Sequence, residues 1–175
     1  FSELATPALE ALQTDGGRLR ALYRFALPPL TDSSLQTEYE ALAAGLWRVT
    51  VTLSGAKALP DLPALGLSFR LPRALNRVRW YGLGSEENGI DRCAGAVLGL
   101  YETTAEQNLT PYLKPQACGN RMGVRWLTLT DGAGRGLRVS MDGAPLEVAV
   151  LPHSQAELAA ALHRQALPAP AYTWL

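Results

Sequence analysis

Histidine and cysteine are scarce in this chain, with two of each among 175 residues. His153 and His163 stand ten residues apart with no recurrent cysteine spacing beside them. A metal site needs several converging ligands, so none is expected. Cys93 and Cys118 are too few for the disulfide framework of a small secreted domain, and two reduced thiols are the expectation. Charge of one sign is also missing: sixteen Lys and Arg face sixteen Asp and Glu. That balance offers no electrostatic footprint for nucleic acid or an anionic membrane. No apolar run approaches a membrane span. FSELATPALEALQ has no basic segment followed by an apolar one, so no signal peptide is visible and a cytoplasmic setting is expected. The absence of a starting Met suggests a fragment or a processed product.

Catalytic signatures are equally thin. No Gly-x-Ser-x-Gly elbow supports a Ser-His-Asp triad. Gly132, Gly134 and Gly136 lack the spacing of a phosphate loop, and no helix follows them. Glu86 and Glu87 are adjacent, so in extended backbone their side chains point apart. That suits them poorly to flank a glycosidic bond, and a solvated or ion-paired loop is the better reading. Asn108-Leu109-Thr110 is a glycosylation sequon, relevant only to a secreted eukaryotic protein.

What is present is a globular composition, 47% hydrophobic and 18% charged, in a length that suits one domain with a core. Period-two patterning dominates. In Leu46–Leu53, Trp47, Val49, Val51 and Leu53 share one face, and Arg48, Thr50 and Thr52 the other. Further strands are predicted over 17–27, 35–42, 65–71, 77–82, 93–101, 122–130, 136–141 and 146–151. Hairpin turns are expected at 43–45, 131–134 and 142–143. One helix is expected over 155–165, with Ser154 and Glu157 at capping-box spacing and Pro168 beyond its end. Residues 1–16 read as a leader, disordered or with a short helical turn, and 17–175 as the domain. These elements make an all-β antiparallel sandwich. Trp47, Trp80 and Trp126 are expected in its core.

The stretch WYGLGSEENGIDR, residues 80–92, is too polar and too rich in glycine for an ordinary strand. Trp80, Tyr81, Gly82, Gly84, Glu87, Asn88, Asp91 and Arg92 resemble a hallmark of the C-terminal small-chain domain of large bacterial β-galactosidases, of glycoside hydrolase family two. A second block resembles the same family: Thr110-Pro111-Tyr112, Pro115-Gln116, Gly119-Asn120-Arg121 and Val124-Arg125-Trp126. The tail agrees, with Leu151-Pro152 before the capped helix, His163 near its end, and Thr173-Trp174-Leu175 closing. The resemblance runs from about residue 17 to the last. Four positions depart from the family pattern: Ser85 stands for Pro, Gly89 for Tyr, Ala117 for Glu and Gly123 for Asp. The first two changes should leave the loop looser. The last two remove acceptors for Arg92, Arg121 or Arg125.

The resemblance implies an antiparallel β-supersandwich like that of aldose mutarotases, incomplete at both ends. It also implies an accessory domain of a lactose-type glycosidase, packed on a catalytic barrel that belongs to the parent polypeptide or to a large subunit. The parent would hydrolyse β-galactosides by the retaining route, use magnesium and sodium held in other domains, and form a homo-oligomer. No catalytic residue and no cofactor are expected in this chain, which would be inactive alone. The loop 80–92 then reads as scaffold, with Gly82 and Gly84 for turn geometry and Asp91 with Arg92 as a charge network. Trp174 is the one substrate-binding candidate, a stacking platform for sugar in a pocket built mainly by the barrel. Two alternatives remain open: an independent carbohydrate-binding or mutarotase-like module, and a purely structural or oligomer-forming domain.

Overall fold

A computed structural model of the chain describes residues 7–25, 32–55 and 66–175. The chain divides into two compact units, Phe1–Leu65 and Gly66–Leu175, and each is all-β. Residues 1–6 of the expected leader, the end of the 17–27 strand and Leu65 lie outside the described residues.

The first unit holds a four-stranded antiparallel meander: β1 (Ala8–Asp15), β2 (Arg18–Arg24), β3 (Ser34–Ala43) and β4 (Leu46–Ser54). The strand β1 replaces the leader or helical turn expected there. Ala, Leu and Glu favour helix locally, but pairing with β2 decides the outcome. A bulge between Leu9 and Ala11 breaks the period that would have marked the strand. Gly16 and Gly17, at φ +52° and +85°, close the β1–β2 hairpin in the left-handed conformation that two-residue turns prefer. One face of the sheet carries opposed charges: Arg18 meets Glu40 at 2.5 Å, Arg20 meets Glu38, and Arg24 meets Glu10 at 2.7 Å. Such exposed cross-strand pairs are screened by water and contribute little to stability. The other face is apolar, as the alternation of β4 predicts, but Trp47 on it is 59% exposed. Its expected place in the core is therefore corrected. Correct alternation assigns a face, and only packing tells whether that face is covered.

The second unit is built on a four-stranded sheet ordered β10-β9-β6-β7. Its strands are β6 (Arg77–Gly84), β7 (Val97–Thr104), β9 (Trp126–Thr130) and β10 (Gly136–Ser140). Two short pairs flank it: β5 (Arg70–Pro72) with β12 (Tyr172–Trp174), and β8 (Asn120–Val124) with β11 (Leu146–Ala149). Strict alternation along β6 sends Val78 and Trp80 inward, where they meet Leu127 and Leu129 of β9, Val124 of β8 and Val150. Trp80 is 3% exposed, with its ring 5.4 Å from that of Tyr101 and its indole N–H donating to the Leu83 carbonyl. Its core assignment holds. Trp126 is only half-buried, so its expected core place is corrected too. It opposes Tyr81 across β6 and β9, on the face away from Leu127, and Arg138 covers its ring at 4.6 Å.

Gly82 and Gly84 do not make a turn. Both lie within β6 outside the left-handed region, and the Gly84–Ser85 peptide bond is cis. A Cβ on Gly82 would sit 2.8 Å from the Val124 Cα, and one on Gly84 2.7 Å from the Tyr101 ring. Glycine is required here for close approach rather than for turning. The Asp131 turn forms as expected: its Oδ1 accepts from the N–H groups of Ala133 and Arg135. The helix is shorter than predicted. α1 (Gln155–Ala160) carries the full capping box of Ser154 and Glu157, then ends at Ala161 in extended backbone. Only Leu158 and Ala161 of this region are buried, so packing supports little more than one turn whatever the propensity of residues 161–165.

Candidate functional site

Within the second unit, the loop after β6 is organised around Glu87. Its Oε1 accepts from the Arg92 guanidinium at 2.5 Å and the Tyr112 hydroxyl at 2.9 Å. Its Oε2 accepts from the Gly119 N–H at 2.7 Å and from the Thr110 hydroxyl. Desolvation pushes this carboxyl upward, but the hydrogen bonds from Thr110, Gly119 and Tyr112, with the charge of Arg92, outweigh it and hold Glu87 below the usual carboxylate range. The carboxylate that answers Arg92 is thus Glu87, not the Asp91 expected from the sequence. Both motifs converge on this one side chain. Neither its four donors nor its role was visible from composition. The signal that could have found it was a carboxylate in the first block and two hydroxyls with a glycine in the second.

Asn88 makes the neighbouring clamp. It is 2% exposed. Its Oδ1 accepts from the Met122 N–H at 2.8 Å, and its amide nitrogen donates to the Glu86 carbonyl at 2.9 Å. Its backbone N–H donates to the Asn120 carbonyl, and the Asn120 side chain donates back to the Asn88 carbonyl. Gly119, at φ +71°, threads between the two motifs. Its N–H serves Glu87, its carbonyl accepts from Asn108, and a Cβ there would meet Asn108 at 2.7 Å. Asn108 is 6% exposed and donates to Gly119 and Val150 at 2.9 Å each. The sequon asparagine is therefore an internal strut.

The three arginines respond differently to the missing acidic residues. Arg92 finds Glu87. Arg125 donates to the Gly123 carbonyl at 2.6 Å and lies over Tyr81. Arg121 is 8% exposed, lies 5.2 Å over the Trp80 ring and donates to the Asn120 carbonyl. Burial lowers its pKa, against the pull of Glu86 and Glu87.

Trp174, the residue the tail motif offers for sugar contact, sits in β12. Its N–H and carbonyl both pair with Leu151 at 2.8 Å, and its strand pairs with β5 on the other side. The half-buried ring lies edge-on to Tyr172 at 6.3 Å. His153 is 5% exposed, and desolvation lowers its pKa against the nearby Glu157. His163 is exposed and opens a short 3-10 turn. Among the described residues, no three His, Cys, Asp or Glu side chains group to hold a metal, and both cysteines are unpaired.

Comparison with known proteins agrees with the motifs. The family described as "Beta galactosidase small chain" matches residues 5–175. A β-galactosidase of Lactobacillus delbrueckii subsp. bulgaricus is 40% identical over 151 residues, covering 86% of this chain and 15% of that protein. A β-galactosidase of Priestia megaterium is 37% identical, covering 78% of this chain and 13% of that protein. A β-galactosidase small subunit of Latilactobacillus sakei is 36% identical, covering 87% of this chain and 51% of that protein. The chain thus spans a small part of the long relatives and about half of the small subunit.

Proposed function

Because the chain belongs to the β-galactosidase small chain family, we propose that it serves as an accessory domain of a β-galactosidase, completing an enzyme whose catalytic carboxylates lie in another domain or subunit. The observation that supports this reading is the state of Glu87. It is the most heavily engaged carboxylate of the family motif, and four donors occupy its two oxygens. A carboxylate so held is a poor nucleophile and a poor acid. It suits a part that must be rigid rather than reactive. The domain would pack against a catalytic barrel, form part of the rim of the galactoside site, and take no chemical step itself. The retaining mechanism and the β-galactoside substrate belong to the barrel in this proposal.

Deleting residues 5–175 from the polypeptide that carries them should abolish hydrolysis of a chromogenic β-galactoside. Supplying the segment as a separate chain should restore it. Hydrolysis that survives the deletion at unchanged kcat/KM overturns the proposal.

The same proposal gives Trp174 the role of stacking platform. Its strand is pinned on both sides while the ring stays half-buried, which suits a rigid aromatic surface. In the complete enzyme, Trp174→Ala should raise KM for the galactoside without lowering Tm. A lower Tm at unchanged KM would assign the ring to packing instead.

A further inference from the structure

A cavity of about 10 Å³ lies inside the second unit, walled by Val78, Leu127 and Val150 and bordered by Thr103, Asn108 and Arg121. Two buried polar atoms here have no protein partner: Nε–H of Arg121 and Oδ1 of Asn108. Both residues are more than nine-tenths buried. The Asn108 amide has only one workable orientation, because its nitrogen already donates to two carbonyls, Gly119 and Val150. The site therefore presents one fixed donor and one fixed acceptor. Buried groups of this kind are almost always satisfied by protein or by ordered water, and a space of roughly 10–15 Å³ is what one water requires.

We propose that this cavity is a binding site for a single structural water, which accepts from Arg121 Nε–H and donates to Asn108 Oδ1. The chemistry selects water over a small anion. A halide would be drawn to the guanidinium but would face the lone pairs of Oδ1, whereas water serves both. The water ties β8, through Arg121, to the segment carrying Asn108. That segment also meets Gly119, whose N–H holds Glu87, so the water supports the clamp from behind.

The test is a high-resolution crystal structure of the chain grown with bromide, together with water–protein cross-relaxation in labelled protein. The expected result is one density peak within hydrogen-bond distance of both atoms, without anomalous bromide signal. Arg121 Nε–H should also show a cross-peak to a long-lived water. An anomalous peak would make the site an anion site and overturn the proposal. So would a cavity without density, or an Arg121 Nε–H without that cross-peak.

Discussion

Trp80 and Trp47 look alike in the sequence, each on the apolar phase of an alternating strand, and they meet opposite fates. Trp80 is enclosed by Tyr101, Arg121 and the Leu83 carbonyl, so Trp80→Ala should cost about 3–5 kcal/mol. Trp47 is 59% exposed, so Trp47→Ala should stay within about 0.5 kcal/mol. Chemical-denaturation midpoints of the two variants check this, and equal shifts would contradict it. Glu87→Gln keeps the shape but turns an amide NH₂ toward groups that already donate. It should cost about 1–3 kcal/mol. His153 and Glu87 contribute to the pH dependence with the same sign. His153 has a folded pKa depressed by desolvation, so its contribution is present above about pH 6.5 and lost as pH falls through the folded value. Glu87 is also depressed, so its contribution is present above about pH 4.3 and lost at still lower pH. Denaturation midpoints followed from neutral to acidic pH should show both declines in the wild type and a shallower second one in Glu87→Gln, where Glu157 and Asp131, also depressed, still contribute.

Elements here are shaped by close approach as much as by pattern. β6 and β8 come together where Gly82 meets Val124, and Gly82→Ala places a methyl 2.8 Å from a backbone carbon and 2.9 Å from a side-chain one. The expected cost is about 1–3 kcal/mol. Gly95→Ala, with nothing within 4 Å of the new methyl, should be nearly neutral. Thermal melting of the pair separates a steric requirement from a general intolerance of change. α1 depends on its cap in a similar way. Ser154 accepts from the Glu157 N–H at 3.1 Å, and the Glu157 carboxylate accepts from the Ser154 N–H at 2.7 Å. Ser154→Ala should cost about 1 kcal/mol in the same assay.

At the scale of the molecule, the described residues form two all-β units, and the motif loop turns Glu87 and Asn88 inward while Ser85, Glu86, Asp91 and Arg92 stay exposed. Glu87 is committed to Arg92, Thr110, Tyr112 and Gly119, and Asn88 to Met122 and Glu86. The purified chain alone should therefore show no turnover of a chromogenic β-galactoside. Turnover that persists through purification and disappears in Glu87→Gln would contradict the scaffold reading of the loop.

Much was legible in the residues themselves. Alternation located β4, β6 and β10, the Ala43–Gly45 and Asp131–Gly134 turns closed where their chemistry said, and Ser154 with Glu157 marked the start of α1. These signals are local, because φ preference, side-chain alternation and capping act over a few residues. The two motif blocks also carried the family, since they are long and ordered. Tertiary structure alone decided the rest. It turned the Ala- and Leu-rich β1 into a strand, because a partner strand outweighs helix propensity. It left Trp47 exposed and half-covered Trp126, because burial depends on what packs against a face. It replaced Asp91 with Glu87 as the partner of Arg92, because ion pairs form between groups adjacent in space. And it brought Thr110, Tyr112 and Gly119 to Glu87 across more than twenty residues of chain, a convergence that no local rule encodes.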